Sequence, residues 1–122
     1  MIRAYRLASG ADGESHVTRG RIASEGLAEV RSIHFKETAP RSTFDWHCAP
    51  VPQYVLTLAG VLEFTTRLGQ TFTLCPGDVL IALDTTGAGH KWRLVNDQPW
   101  QRAYVILEPG TDVHFEPEPP SR

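Results

Sequence analysis

The sequence holds only 2 cysteines, Cys48 and Cys75, and a single methionine. Two thiols do not make a disulfide framework, which excludes a small cross-linked secreted scaffold. Cys75, just before Pro76-Gly77-Asp78, reads as a small apolar residue buried ahead of a turn. Cys48 follows His47 directly, and adjacent strand residues point to opposite faces, so the two should not share one pocket wall. No apolar run approaches a membrane span. The first residues carry Arg3 and Arg6 among their apolar neighbours and lack the core of a signal peptide. The cytoplasm is therefore the expected location.

Charge of one sign is also missing. A net charge of −2 creates no field that would gather nucleic acid or an anionic membrane, and no basic stripe is interleaved with aromatics. No segment shows a helical stripe. The best stretch, 23–32, is interrupted by Gly26. There is no Gly-rich phosphate loop, no nucleophile elbow around a serine and no convincing carboxylate pair.

What is present is a series of short β-like runs punctuated by Gly, Pro and Asp. Residues 27–37 alternate, with Val30, Ser32 and His34 on one face and Arg31, Ile33 and Phe35 on the other. Residues 51–74 read as successive strands with turns at Ala59-Gly60 and Leu68-Gly69. Residues 78–83 form a short continuous apolar strand, 90–95 alternate again, and 102–109 form a last apolar strand ended by Pro109-Gly110. Short strands at roughly 8–12 residue spacing predict an all-β sandwich or barrel.

The 122 residues are expected to form one domain. Its core should span about 28–107, with a loop at 8–15 and an acidic, Pro-rich tail at about 116–122, both ends being loose. Residues 53–58 and 102–107 are apolar on both faces. One face fills the interior, and the other needs cover from an added strand or a second subunit, so a homodimer is expected.

Two clusters stand out. The first is Trp46-His47, Ala49-Pro50 and Gln53-Tyr54, with Gly60 seven residues after Gln53. The second is Pro76-Gly77-Asp78, a short strand, then Asp84-Thr85-Thr86-Gly87 and Gly89-His90. Over roughly 28–107 this pattern resembles the cupin superfamily, and within it a set of small single-domain cupins without an assigned reaction. The resemblance implies a cupin-type antiparallel jelly-roll barrel, a double-stranded β-helix. It also implies that His47 and His90 lie close together.

Cupins that bind metal resemble one another in three His and one Glu around a divalent ion. Here Gln53 stands where the Glu would be, one His position is not filled, and the second motif's loop is longer than the family's commonest spacing. Two imidazoles and a neutral amide are a thin ligand set for Fe, Mn, Ni or Zn. His34, Glu63 or Asp84 is available to complete an unusual site, although Glu63 can equally face water. Asp84, Thr85 and Thr86 are otherwise expected to stabilise their own turn.

The leading expectation is a small-molecule binding protein. Its pocket would be lined by Trp46, His47, Gln53, His90, Trp92 and Tyr104, with His47, Gln53 and His90 orienting the ligand. The alternative is an enzyme. It would be either a metal-dependent oxygenase or isomerase using His47, Gln53 and His90, or a metal-free catalyst with His47 or His90 as general acid or base. Trp92 should share the inward face of His90, and Trp100, after Pro99, should anchor the start of its strand.

Overall fold

The computed structural model describes residues 1–119. Among them there are eleven strands and no helix, so no helix is long and apolar enough to cross a membrane. The all-β expectation holds. The strands are β1 (Ile2–Ser9), β2 (Ser15–Ile22), β3 (Val30–Thr38), β4 (Thr43–His47), β5 (Gln53–Ala59) and β6 (Leu62–Thr66). They continue as β7 (Thr71–Leu74), β8 (Val79–Leu83), β9 (His90–Leu94), β10 (Trp100–Leu107) and β11 (Phe115–Pro117). A seven-stranded sheet runs β11-β2-β1-β8-β5-β10-β3, and a four-stranded sheet runs β4-β9-β6-β7. The two sheets are not closed into a barrel; they form a two-layer arrangement consistent with a sandwich.

Local sequence explains most of this. β9 alternates buried and exposed residues, as a strand with one wet face must. β8 is apolar throughout because it sits between β1 and β5 and is covered on both faces. The β6–β7 hairpin closes at Gly69, whose φ of 87° is the left-handed conformation that the turn needs.

The amino terminus departs from expectation. β1 is not a loose end: Ala4 and Leu7 are fully buried, and the strand lies inside the large sheet. It pairs with β8 in parallel, so the sheet is not purely antiparallel. The core therefore begins near residue 4 rather than 28. Of the loop expected at 8–15, only residues 10–14 lie outside strands, as the turn that joins β1 to β2. At the other end, Phe115–Pro117, which includes the first two residues of the acidic tail, is extended and adds a strand to β2. Residues 120–122 of that tail lie outside the described residues.

Between the sheets, the Tyr5 ring stacks on Phe72 at 4.8 Å and Phe72 stacks on Phe64 at 5.0 Å. Phe64 in turn meets Trp100 edge-on at 6.3 Å. This aromatic file, with Leu7, Leu62 and Leu74, belongs to the main core cluster. Each such residue contributes about 1.5–3 kcal/mol through burial. On the outer face of the large sheet, Ala4, Val79 and Ile81 are covered by Val113 and Phe115 of the returning chain. That cover does not extend across the sheet: Ile33, Phe35 and Leu58 are 53%, 73% and 59% exposed.

Candidate functional site

Beside this aromatic file, with Phe64 and Trp100 in its wall, lies a cavity of about 340 Å³. His47, Gln53, His90, Trp92 and Tyr104 line it, which is five of the six residues expected there. Trp46 does not. Its ring faces away and lies under the Arg67 guanidinium at 4.1 Å and the Lys91 ammonium at 4.9 Å.

The reason is a β-bulge. Phe44 pairs with Trp92 and His47 with His90, so β4 spends one more residue than β9 over the same span. The extra residue puts Phe44 and His47 on the same inward face and turns Trp46 out. The strand then ends, and Cys48 donates its thiol proton to the Gly87 carbonyl at 3.2 Å instead of facing the cavity. Gly89 secures this junction. Its φ is 76°, and a Cβ there would lie 2.3 Å from the His47 carbonyl oxygen. Only glycine lets the 84–90 loop come this close to β4.

His47 and His90 meet edge to face with ring centroids 4.5 Å apart. The two ring nitrogens that hold their orientations differ in partner. His47 Nδ1 donates to the Asp45 carbonyl at 2.7 Å. His90 Nδ1 bonds Asp84 Oδ2 at 2.6 Å, and the Ser15 hydroxyl donates to the same oxygen at 2.6 Å. Asp84 and Ser15 are fully buried, and His90 is nearly so. Asp84 thus orients an imidazole rather than its own turn, contrary to the expectation for that loop. In both rings Nε2 is the nitrogen left for a ligand.

Burial holds His47 below the ordinary imidazole value, and the neighbouring His90 adds to the effect. The Asp45 carbonyl bond and Asp84 pull the other way and do not win. His47 therefore favours its neutral form more than a free imidazole does, and in that form the lone pair is on Nε2.

Several cavity groups escaped the sequence reading, among them Phe44, Trp100, Arg102 and Lys36. Trp100 anchors β10 as expected, with its indole N–H donating to Thr57 Oγ1 at 3.2 Å, yet it also walls the cavity. Arg102 is 2% exposed and also lines it. Its guanidinium lies 3.7 Å above the Trp100 ring. Lys36 stands nearby on the edge strand β3. The signal for Arg102 was slight: an arginine at the head of an otherwise apolar strand.

The remaining candidates for a metal site do not converge on the His pair. Glu63 is on the outer face and bonds Arg93. His34 stacks on Tyr104 at 4.9 Å from an exposed edge strand. Asp84 is behind His90, on its Nδ1 side. Among the described residues no three of His, Cys, Asp and Glu are placed to share an ion. The cavity also carries Arg102 and Lys36 and no carboxylate, so its charge opposes a divalent cation. The residues present do not fit a metal held by His47, Gln53 and His90.

Searches of the chain against protein-family models and against curated proteins find no match.

Proposed function

We propose that this chain is a cupin-like protein that binds a small organic molecule in the cavity between its two sheets. The observation that carries the reading is the convergence of His47, Gln53 and His90 on one aromatic-walled space. Gln53 is 5% exposed, and its amide has no protein partner among the described residues, so a ligand can use both its donor and its acceptor. The motif positions named by the resemblance are also paired neighbours here, His47 directly opposite His90. The volume lies at the lower end for small-molecule sites, which favours a compact ligand.

The test is a thermal-shift screen of a metabolite library against the wild type and His90→Ala. A hit that stabilises the wild type without stabilising a folded His90→Ala supports the cavity. Equal stabilisation of both proteins would count against it.

A second reading, a metal-free acid–base enzyme, is favoured by the Ser15–Asp84–His90 chain beside His47, whose burial favours the neutral imidazole. A buried carboxylate that fixes an imidazole is the arrangement in which His90 exchanges protons through Nε2, with His47 as a base. Turnover of a screening hit that His47→Gln and His90→Gln both abolish would move the assignment to this class.

A homodimer accompanies the reading. β3 is an edge strand, and Ile33, Phe35 and Leu58 leave an apolar area uncovered on its sheet. Light scattering should give twice the chain mass; a monomer at working concentration would exclude it. Cytoplasmic placement is supported by the two unpaired thiols, Cys48 and Cys75.

A further inference from the structure

Arg102 is the least expected group in the cavity. A guanidinium stays charged at any physiological pH, and burying it without a counter-charge is costly. Yet Arg102 is 2% exposed, and no carboxylate lies within ion-pair distance of it among the described residues. The other ionisable groups lining the cavity are Lys36, a second cation, His47, His90 and Tyr104, and none of them is a carboxylate. The chain is net negative, so the local excess of positive charge is not a general property of the molecule.

Protein partners use only part of the guanidinium. Nε donates to the Tyr104 hydroxyl at 3.0 Å. Nη1 donates to Thr38 Oγ1 at 2.6 Å and to the Trp100 carbonyl at 3.1 Å. Nη2 donates to nothing among the described residues, and it is not among the buried atoms sealed off without a partner. The Tyr104 oxygen accepts from Nε, so its own proton is free to donate elsewhere. Both free donors belong to residues that line the cavity.

We infer that the ligand of this cavity is a small organic carboxylate, its acid group held by Arg102 Nη2 and the Tyr104 hydroxyl and its apolar body lying against Trp92, Trp100 and Phe44. The inference rests on the binding-cavity reading and adds the ligand's chemical class. A carboxylate supplies one negative charge and two acceptor oxygens, which matches one buried cation and two free donor groups. A phosphoryl group brings more charge and a third terminal oxygen. Such groups are usually met by a helix N-terminus or a Gly-rich nest, and the described residues contain no helix. The aromatic walls exclude a highly polar body. They also place Trp92 and Trp100 where a bound ligand alters their fluorescence.

The experiment uses matched probes in chloride-free buffer: benzoate, phenylacetate and hexanoate, their three primary amides, and phenyl phosphate. Tryptophan fluorescence titration and calorimetry give the affinities. In the wild type each acid should bind at least ~10-fold tighter than its amide, as a charge-assisted hydrogen bond implies. Arg102→Met should lose that preference while amide binding stays within a few-fold. Tyr104→Phe keeps the ring, and should weaken the acids by roughly 5-fold or more and the amides by less, because the acids lose the stronger, charge-assisted bond. It decides the matter if Arg102→Met does not fold. Amides that bind as tightly as the acids, or an acid preference unchanged in Tyr104→Phe and a folded Arg102→Met, would overturn the carboxylate assignment and leave the cavity reading standing. Phenyl phosphate binding more tightly than every acid would do the same. No binding by any probe would overturn both.

Discussion

Ser15→Ala is the substitution whose effect follows most directly from the geometry. Ser15 is fully buried, and its hydroxyl donates to Asp84 Oδ2 at 2.6 Å. That oxygen also bonds His90 Nδ1, and its sister Oδ1 is buried without a partner. Asp84 therefore depends on two short hydrogen bonds for compensation of its burial. A hydrogen bond to a charged group contributes about 1.5–3 kcal/mol. Its loss should lower the unfolding free energy by that amount, or the melting temperature by roughly 5–15 °C for a chain of this size. Ser9→Ala is the matched control. Ser9 pairs with Ser15 across the same hairpin and donates to the Thr86 carbonyl at 2.8 Å, but in contact with solvent. It should cost less than about 1 kcal/mol. Urea titration followed by tryptophan fluorescence measures both. Equal losses in the two variants would refute the view that a buried Ser15–Asp84–His90 chain holds the site.

Three further predictions concern the frame of the cavity. Gly89→Ala forces a side chain into positive φ and against the His47 carbonyl, and should cost at least about 2 kcal/mol, read by thermal melting. Thr57→Val leaves the buried Trp100 indole N–H without its acceptor, for about 1–3 kcal/mol in urea, and Thr57→Ser should restore most of the loss. His47 binds its proton more weakly folded than unfolded, so its contribution to stability is fully present above the unfolded value of 6.5. It is lost as pH falls from 6.5 toward the folded value. Subtracting the pH-stability profile of His47→Gln from that of the wild type should isolate a component of that sign; a flat difference would contradict burial as the force acting on His47.

The strands from β3 and from β5 to β10, and five of the residues that line the cavity, were legible because they depend on local signals. Alternation in 90–94 puts His90 and Trp92 on one face whatever the rest of the chain does. Gly69 and Gly60 mark turns through backbone conformation alone. The misses share a different character. β1 reads as an exposed end because Arg3 and Arg6 interrupt it, and its burial comes from a parallel pairing with β8 that no local pattern encodes. Trp46 is turned out by one bulged residue, which shifts the period of two without leaving a mark in composition. Asp84 looks like a turn residue until Ser15, 69 positions away, is brought against it. Arg102 has the residue type of a solvated surface, and its burial under Tyr104 and Thr38 exists only once β3 and β10 pair.

A small molecule is proposed to occupy the space between the sheets beside His47 and His90. Nuclear magnetic resonance of the imidazole and indole groups tests it most directly, with a screening hit titrated into isotope-labelled protein. The rings of His47 and His90 and the indole N–H groups of Trp92 and Trp100 should shift together along one saturable curve, while Trp46 and His16 on the outside stay still. Shifts confined to Trp46, His16 or other outer residues, with the four cavity rings unmoved, would contradict it.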